Sequence, residues 1–570
     1  MSEILDRCLI GINKYDETIR VDAIPKARKS YVDTWKLSTE IEVEKIRHDI
    51  DFYIGFPVEF PYTRPDFYFQ SSEFGYLPHV ESDNGKLCLD EDGSVFNTDN
   101  PVAIIQECVR RAKRLIKAGA EKRNFADFLK EIESYWTREY DGEPNTRDSI
   151  IFYGKWPSED FELNILNYHV DQPEDAQKHF VINSLLYIGY NEPFDGYISK
   201  HFQHELRKAL FINNVYIRET APYDLTFEDF LSLLTEDGKK HAIKFLNKYN
   251  GGDIYFKLTD NRIAGINFGK ANLHMNGFRT LKPCYVYENF GNKKKYLQRL
   301  YGFVYTRERA AERTSGTLKT SMNFLVVGLG SIGSNLVHFL LGYNNTSFTL
   351  VDRDVLTVDN IGRHVLGFRY VNLSKVHGMA DYIKASDIET DVKPFASTLQ
   401  EYISGNFNKL NEFTAIFLCI GDVMTEKYMY QALIDGKVDA PIFNLWLEPF
   451  GVGGHMVYVN PTNKTSVFNI YEERTYRYVH NVVKSEEYDI HGDMFVRRDA
   501  GCNGAYTLYS QNDVMLMLSA FYPIINKLLD EPSQSKCYRW VGNIEYLQKK
   551  GIKLNVTPGT KEGTVQEFPL

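Results

Sequence analysis

The stretch Phe324-Leu325-Val326-Val327-Gly328-Leu329-Gly330-Ser331-Ile332-Gly333-Ser334-Asn335 decides the fold of the C-terminal half of this 570-residue chain. A short apolar strand leads directly into Gly-x-Gly-x-x-Gly and then into a predicted helix. In such a turn Gly328 makes the tight bend, Gly330 lets the backbone approach a phosphate, and Gly333 lets strand and helix pack closely. Helix-terminal N–H groups then hold the phosphate. The pattern predicts a nucleotide site in a Rossmann-like α/β domain.

A second predicted strand, residues 347–351, ends at Asp352, about 20 residues beyond the glycines, where a carboxylate can bind a ribose hydroxyl. This much also fits an enzyme that uses a nicotinamide cofactor. The polar residues that follow, in 352–363, 372–375 and 419–422, favour another chemistry. Attack of a carboxylate on an α-phosphate builds negative charge that Arg, Lys and Mg²⁺ neutralise, whereas hydride transfer needs no such cluster.

This ordered series resembles the adenylation domain shared by ubiquitin-activating enzymes and the bacterial ThiF and MoeB proteins, over about residues 300–530. The resemblance implies that Asp352 holds the ribose of ATP and that Asp422 binds Mg²⁺. The resemblance also implies further ATP contacts, at Gly328, Gly330, Gly333, Asp354, Asn360, Arg363 and Lys375. Of these, Asn360, Arg363 and Lys375 would lie at the triphosphate. In this family an arginine before the glycine strand also reaches the ATP site of the neighbouring protomer. Arg307 or Arg309 is the candidate, and a homodimer is therefore expected.

Composition places the chain among multidomain globular proteins, with 43% hydrophobic and 25% charged residues. No apolar run approaches the roughly 20 residues of a membrane span, and the N-terminus lacks a signal-peptide pattern, so we expect a cytoplasmic protein without membrane contact. A net charge of −10 argues against direct binding of nucleic acid. The seven cysteines form no Cys-x-x-Cys pair, which predicts neither a disulfide framework nor a zinc site.

The N-terminal region has a different pattern. Residues 15–70 alternate polar and apolar positions, which predicts an antiparallel meander, and a proline-containing segment follows. An irregular stretch then carries His79 and Cys88, and a helix is predicted from Pro101.

This order resembles a ubiquitin-conjugating domain, whose active cysteine lies in Asn-Gly-x-Ile-Cys-Leu-Asp; here residues 84–90 read Asn-Gly-Lys-Leu-Cys-Leu-Asp. The resemblance implies that Cys88 carries a thioester. The family's His-Pro-Asn is reduced to Pro78-His79-Val80, so the asparagine credited with stabilising the oxyanion is missing. The alternative is a cysteine that only fills an apolar pocket, as we expect for Cys108.

Beyond the glycine turn, Cys502 lies between two glycines and close to a predicted helix start, where a thiolate is favoured. It is the candidate nucleophile of the activating domain. The alternatives are a small residue in a tight turn, or Cys537 as the nucleophile, while Cys419 is expected to be buried.

We therefore predict a multidomain protein: a conjugating-like α+β domain (1–145), a connecting α+β domain of unknown role (146–300) and a Rossmann-like adenylation domain (301–570). This order resembles the fused activating–conjugating family of type II CBASS antiphage operons. The resemblance implies ATP- and Mg²⁺-dependent adenylation of the C-terminus of a cGAS/DncV-like nucleotidyltransferase. Thioesters on Cys502 and then Cys88 would follow, with transfer to an amine of a target protein. A sulfur-carrier adenylating enzyme and a noncatalytic scaffold are the alternatives.

Overall fold

A computed structural model describes the chain apart from residues 1, 28, 90–96, 138–146, 154–155, 170–181, 188–202, 224, 261, 270–273, 276–277, 282–285, 290–294, 317–320, 344, 388–389, 464–466 and 499–504. Two compact units are present, and the division falls between Thr306 and Arg307. The first unit contains two domains. Within the described part of the chain, none of the helices has both the length and the apolar character that crossing a membrane requires.

The first domain consists of α1 (Ser2–Ile12), β1 (Glu17–Arg20), β2 (Asp33–Val43), β3 (Ile46–Phe56), β4 (Asp66–Phe69), α2 (Pro101–Ala120), α3 (Asp127–Lys130) and α4 (Ile132–Thr137). Its sheet has the order β1-β2-β3-β4 with antiparallel neighbours, so the predicted meander is confirmed. Glu44 and Lys45, both with positive φ, form the two-residue turn between β2 and β3, as a tight hairpin requires.

Helix α2 covers the sheet with one apolar face. Its first turn has Pro101 at N1, and the side chain of Asn100 accepts a hydrogen bond from the Ala103 N–H at 3.2 Å. Cys108 lies on the buried face and is fully buried among the sheet residues, as predicted. The helix therefore begins where its sequence dictates and closes the core of this domain.

The second domain contains β5 (Arg147–Tyr153), β6 (Phe161–His169), β7 (Ile182–Tyr187), β8 (Gln203–Phe211), helices Phe227–Ser232 and Glu236–Tyr249, β9 (Gly252–Thr259), β10 (Arg262–Phe268), β11 (His274–Met275), β12 (Phe278–Leu281), β13 (Val286–Asn289), β14 (Lys295–Tyr296) and β15 (Gln298–Tyr305). Seven strands close a barrel in the order β10-β15-β5-β7-β6-β8-β9, and β11–β14 form a small separate sheet. The α+β class is confirmed, but β15 extends past residue 300, where we predicted the domain to end.

The second unit contains helix Arg307–Glu312, β16 (Met322–Val327), helix Ser331–Leu340, β17 (Thr346–Val351), helix Lys375–Ser386, β18 (Asp391–Phe395), helix Leu399–Ile403, β19 (Ala415–Leu418), helix Val423–Ile434, β20 (Ile442–Leu447), β21 (Gly453–Val459), helices Ser485–Ile490 and Gly492–Phe495, β22 (Val496–Arg498), β23 (Ala505–Thr507), helix Gln511–Asp530, β24 (Lys536–Val541), helix Glu545–Lys549 and β25 (Val565–Pro569). The main sheet has the order β18-β17-β16-β19-β20-β21-β24-β25. Its first five strands run parallel to one another, and each of the other three is antiparallel to the strand before it in this order.

Both faces of the parallel strands are covered, which explains why their sequences are almost continuously apolar. Phe324 and Val326 face one layer of the core, and Leu325 and Val327 face the other. The carboxyl ends of β16, β17 and β19 share one edge of the sheet. The predicted nucleotide-binding residues follow these strands and therefore converge there.

Candidate active sites

The glycine turn after β16 needs glycine at two of its three positions. Gly328 has φ +82°, and a Cβ there would lie 2.7 Å from Ile420 Cγ2. A Cβ on Gly333 would lie only 1.9 Å from the carbonyl oxygen of Gly328. A Cβ on Gly330 would meet nothing within 4 Å, so the surface beside the start of helix Ser331–Leu340 is open. Close packing at 328 and 333 thus accompanies an accessible backbone at 330.

Asp352 ties the end of β17 to this turn. Its Oδ2 accepts a hydrogen bond from Leu329 N at 2.6 Å, and its Oδ1 accepts one from Asp354 N at 2.7 Å. Burial raises the pKa of the Asp352 carboxyl, while the nearby Lys375 cation opposes that rise. Lys375 is itself 7% exposed, with its Nζ 3.0 Å from Asp354 Oδ2. A buried cation is therefore held next to the carboxylates.

Asp422 caps helix Val423–Ile434. Its carboxylate accepts hydrogen bonds from the N–H groups of Met424 and Thr425, both at 3.3 Å, and from the Thr425 hydroxyl at 2.6 Å. The Thr425 hydroxyl in particular lowers the pKa of Asp422, so this carboxylate is ionised at neutral pH.

A magnesium ion would fit at Asp422 if phosphate groups of a bound nucleotide supplied its other ligands. Among the described residues no group of three or more His, Cys, Asp or Glu side chains could hold a metal by itself. Mg²⁺ is usually held by one or two carboxylates together with substrate phosphates. A single ionised carboxylate beside a phosphate site meets that requirement.

The adenylation residues line a cavity of about 490 Å³, within the usual range for a small-molecule site. The predicted residues that it brings together are Gly328, Gly330, Asp352, Asp354, Lys375 and Asp422. Gln400 and Thr425, which the sequence did not single out, also line it.

A second cavity of about 690 Å³ adjoins the first, since Gly330, Lys375, Cys419 and Ile420 line both. Its lining includes the other two predicted triphosphate residues and five aromatic side chains, namely Asn360, Arg363, Trp446, Tyr471, Tyr476, Tyr478 and Tyr509. Burial raises the pKa of the Cys419 thiol, which does not favour a nucleophilic role.

Arg363 and His364 line the second cavity and hold their loop in place through hydrogen bonds. Arg363 donates a hydrogen bond to the Thr507 carbonyl at 3.0 Å, and its guanidinium lies 5.3 Å from the centre of the Tyr509 ring. His364 Nδ1 accepts from Leu366 N at 3.0 Å, so Nε2 carries the proton and donates to the Leu329 carbonyl at 2.8 Å. Burial lowers the pKa of His364 to about 4. The sequence analysis missed this histidine, whose only indication is its position next to Arg363.

Neither arginine proposed to act in the neighbouring protomer lines either cavity of its own chain. Arg307 forms an ion pair with Asp387 at 3.2 Å, and Arg309 lies on the same short helix, Arg307–Glu312. Their contribution to a neighbour's site stays a prediction.

Cys502 lies outside the described residues. The strands on either side of it, β22 and β23, pair antiparallel, and Thr507 at the end of β23 lines the second cavity. The alternative thiol, Cys537, is fully buried in β24, and burial raises its pKa to about 11. A nucleophilic role for Cys537 is therefore disfavoured.

The first domain presents a separate reactive centre at Cys88, which is exposed. Its backbone N–H donates to the His79 carbonyl at 2.9 Å, and the thiol hydrogen-bonds the His79 imidazole. His79 Nε2 lies 3.3 Å from Asp127 Oδ2, and Nδ1 lies 3.4 Å from Glu131 Oε2. The hydrogen bond to His79 lowers the pKa of Cys88, and the same bond raises the pKa of His79. This arrangement favours an imidazolium beside a thiolate.

The Asn-Gly pair before Cys88 shapes its loop. Asn84 Oδ1 accepts from Lys86 N at 2.7 Å, and its Nδ2 donates to Glu81 at 2.9 Å. Gly85 has φ +77°, and a Cβ there would lie 2.2 Å from the Phe69 carbonyl oxygen. Both ends of the Asn84 amide are thus engaged in the turn, so Asn84 does not replace the missing oxyanion asparagine.

The fold and the two centres define a nucleotide-binding α/β domain joined to a conjugating-like domain with a reactive cysteine. Residues 306–491 match the ThiF family, and residues 21–143 match prokaryotic E2 family B. The chain thus contains an E2-like domain followed by a ThiF-type domain.

No curated protein is similar enough to this chain to count as a relative. Solved structures that match include PaaA, at 17% identity and TM-score 0.29 over 39% of this chain and 61% of that one. Escherichia coli MccB matches at 13% identity and TM-score 0.30, over 42% and 62% of the two chains. The E. coli tRNA N6-threonylcarbamoyladenosine dehydratase TcdA, solved with AMP, matches at 21% identity and TM-score 0.21, over 24% and 58%. The matches thus span less than two thirds of those proteins.

Proposed function

We propose that this protein activates the C-terminal carboxylate of a partner protein with ATP, carries it as thioesters, and transfers it to an amine. The observation that supports this most is the presence in one chain of two distinct centres. One is a cavity lined by the adenylation residues, and the other is an exposed cysteine whose thiolate is favoured.

In the first step a partner carboxylate attacks the α-phosphate of ATP, an acyl adenylate forms, and pyrophosphate leaves. Lys375 and Arg363 offset negative charge on the phosphates, and Asp352 holds the ribose. Mg²⁺, bound by Asp422 and the phosphates, would neutralise further charge. The aromatic second cavity suits the last residues of an extended protein tail, because it opens onto the phosphate site at Gly330.

In the second step the Cys502 thiolate attacks the acyl carbon, and AMP leaves. The Cys88 thiolate then attacks this thioester and releases Cys502. Finally an amine attacks the Cys88 thioester, loses a proton to solvent, and releases Cys88 as a thiolate next to His79.

The resemblance to the fused family of type II CBASS operons supports a particular partner and setting. We propose a cGAS/DncV-like nucleotidyltransferase as the source of the carboxylate, a protein amine as acceptor, a homodimer as the working form, and the cytoplasm as the location. Conjugation would prime antiphage signalling.

The test is a non-reducing gel of the full chain incubated with ATP, Mg²⁺ and a candidate nucleotidyltransferase. Two adducts that a thiol reductant removes are expected, and Cys88→Ala should leave one. A nucleotidyltransferase without its last residue is the matched control and should give neither. Adenylate formation without thioester would indicate a sulfur-carrier type of activation, and no reaction with ATP at all would indicate a scaffold; either result would overturn the relay.

A further inference from the structure

The barrel binds the end of α4 through a buried arginine. Arg299 on β15 is 2% exposed, and its Nη1 donates to the carbonyls of Tyr135 at 3.0 Å and Trp136 at 2.8 Å. A hydrogen bond in the opposite direction runs from Trp136 Nε1 of α4 to the carbonyl of Leu300 in β15, at 2.8 Å. The last carbonyls of a helix lack intrahelical partners, and Arg299 donates to two of these carbonyls in α4.

Other contacts between α4 and the barrel reinforce this attachment. Trp136 packs within the barrel's own hydrophobic cluster, and its ring lies 5.5 Å from that of Phe256. Glu133 forms an ion pair with Arg262 of β10 at 3.0 Å. Helix α4 is thus fixed on the barrel by apolar, ionic and hydrogen-bond contacts.

The same short segment holds the partner of the reactive thiol. The Tyr135 hydroxyl accepts a hydrogen bond from His79 N at 2.8 Å, and its ring packs 4.9 Å from that of Phe128 in α3. Asp127 begins α3, and Glu131 lies between α3 and α4. Both acidic groups that contact the His79 imidazole are therefore carried by the segment that the barrel anchors.

We propose that the barrel keeps Cys88 reactive: Arg299 is a positioning residue that acts through Tyr135 and His79 to hold the imidazole against the thiol. This inference rests on the proposed function and gives the connecting domain a role in it. The chain of contacts runs from β15 to the carbonyl of Tyr135, from the Tyr135 hydroxyl to the backbone of His79, and from the imidazole to the thiol.

The charged groups around the pair define the expected pH dependence. His79 faces Asp127 and Glu131, which favour its protonated form, and Asp127 is also paired with Lys130 at 2.8 Å. Cys88 faces His79 and more distantly Arg64, which favour the thiolate, and Glu131, which opposes it.

The lowered pKa of the thiol and the raised pKa of the imidazole both favour the thiolate–imidazolium pair. If α4 shifts, the thiol pKa should move back towards the 8.5 of free cysteine, and about 3% would be thiolate at pH 7.

The experiment measures alkylation of Cys88 by iodoacetamide against pH, followed on the Cys88 peptide by mass spectrometry, with the full chain and without ATP or partner. The wild type should show a midpoint below 8.5. Arg299→Met should raise that midpoint by about one unit and slow alkylation at pH 7 by roughly tenfold. Arg299→Lys should recover part of the effect, because an ammonium can still donate to both carbonyls. His79→Gln should remove the low midpoint entirely.

Arg47→Met, which changes an exposed arginine on β3, is the control and should leave the profile unchanged. Thermal unfolding checks that each variant is folded; if Arg299→Met is not, Trp136→Phe takes its place with the same expected direction, because it removes the hydrogen bond to Leu300 together with part of the ring's packing against the barrel. A folded variant with the wild-type pH profile would refute the proposal. The result does not depend on adenylation or transfer, so the proposed function and this inference can fail separately.

Discussion

Substitution of alanine at Gly333 tests whether the glycine turn is as tightly packed as its geometry requires. The added Cβ would lie 1.9 Å from the Gly328 carbonyl oxygen, whereas real Cβ contacts are essentially never under 3.0 Å. Gly328 cannot simply retreat, because its own Cα faces the Cys419 carbonyl, which a Cβ there would approach to 2.8 Å. The turn and helix Ser331–Leu340 must therefore separate by at least about 1 Å.

Two effects follow from this displacement. Overpacking of this kind costs about 1–3 kcal/mol, which for a domain of this size corresponds to a fall of about 2–12 °C in Tm. A misplacement of about 1 Å at a site of phosphoryl chemistry can reduce its rate by about 100-fold. We expect both effects in Gly333→Ala.

Gly330→Ala is the matched control, because a Cβ at 330 meets nothing within 4 Å and its φ of −76° suits any residue. It should leave Tm within about 1 °C of wild type, while raising the KM for ATP if phosphate approaches this backbone. The assays are thermal unfolding and ATP–pyrophosphate exchange with partner protein. Equal Tm values for the two variants, or wild-type exchange in Gly333→Ala, would refute the reasoning.

Three further outcomes test the two centres. Asp422→Asn retains a capping side chain but loses its charge, so pyrophosphate exchange should fall by at least about 100-fold while Tm stays near wild type; exchange at the wild-type rate would contradict a metal-binding role. Cys88→Ser should accumulate an oxygen ester that resists thiol reductant, because esters are aminolysed less readily than thioesters, and the lack of any adduct on intact-mass analysis would argue against acyl transfer to this position. The pKa of His364 is lowered to about 4 from 6.5 in the folded protein, so its contribution to stability is complete above pH 6.5 and is lost as the pH falls towards 4. Urea unfolding of the wild type should therefore lose roughly 3 kcal/mol more than that of His364→Gln between pH 7 and 4, and parallel losses would show that this histidine does not titrate as described.

The parts of the adenylation cavity that the sequence predicted are those set by local spacing. Gly328, Asp352 and Asp422 each follow a parallel strand, and carboxyl ends of neighbouring parallel strands converge, so order along the chain was enough to place them together. The same logic could not place the aromatic lining of the second cavity, because residues such as Tyr476 and Tyr509 come from segments far along the chain.

The residues that surround Cys88 could not be predicted either, because they lie far from it along the chain. The motif around Cys88 identified the thiol, but Asp127 and Glu131 follow it by about 40 residues without a motif of their own. Arg299 lies 164 residues beyond Tyr135. Its role depends on how the barrel closes, and the barrel combines parallel and antiparallel neighbours that hydrophobic periodicity cannot pair.

Each of the seven barrel strands pairs with a neighbour on both sides, so the cylinder has no free strand edge. The sheets of the domains before and after it in the chain are open and do have such edges. A sequence placed between two open sheets risks pairing with either of them during folding, and edge-to-edge association of this kind is a route to aggregation. A closed cylinder cannot act as a template for such pairing, so it separates the E2-like and ThiF-type domains along the chain without offering a free edge to either sheet.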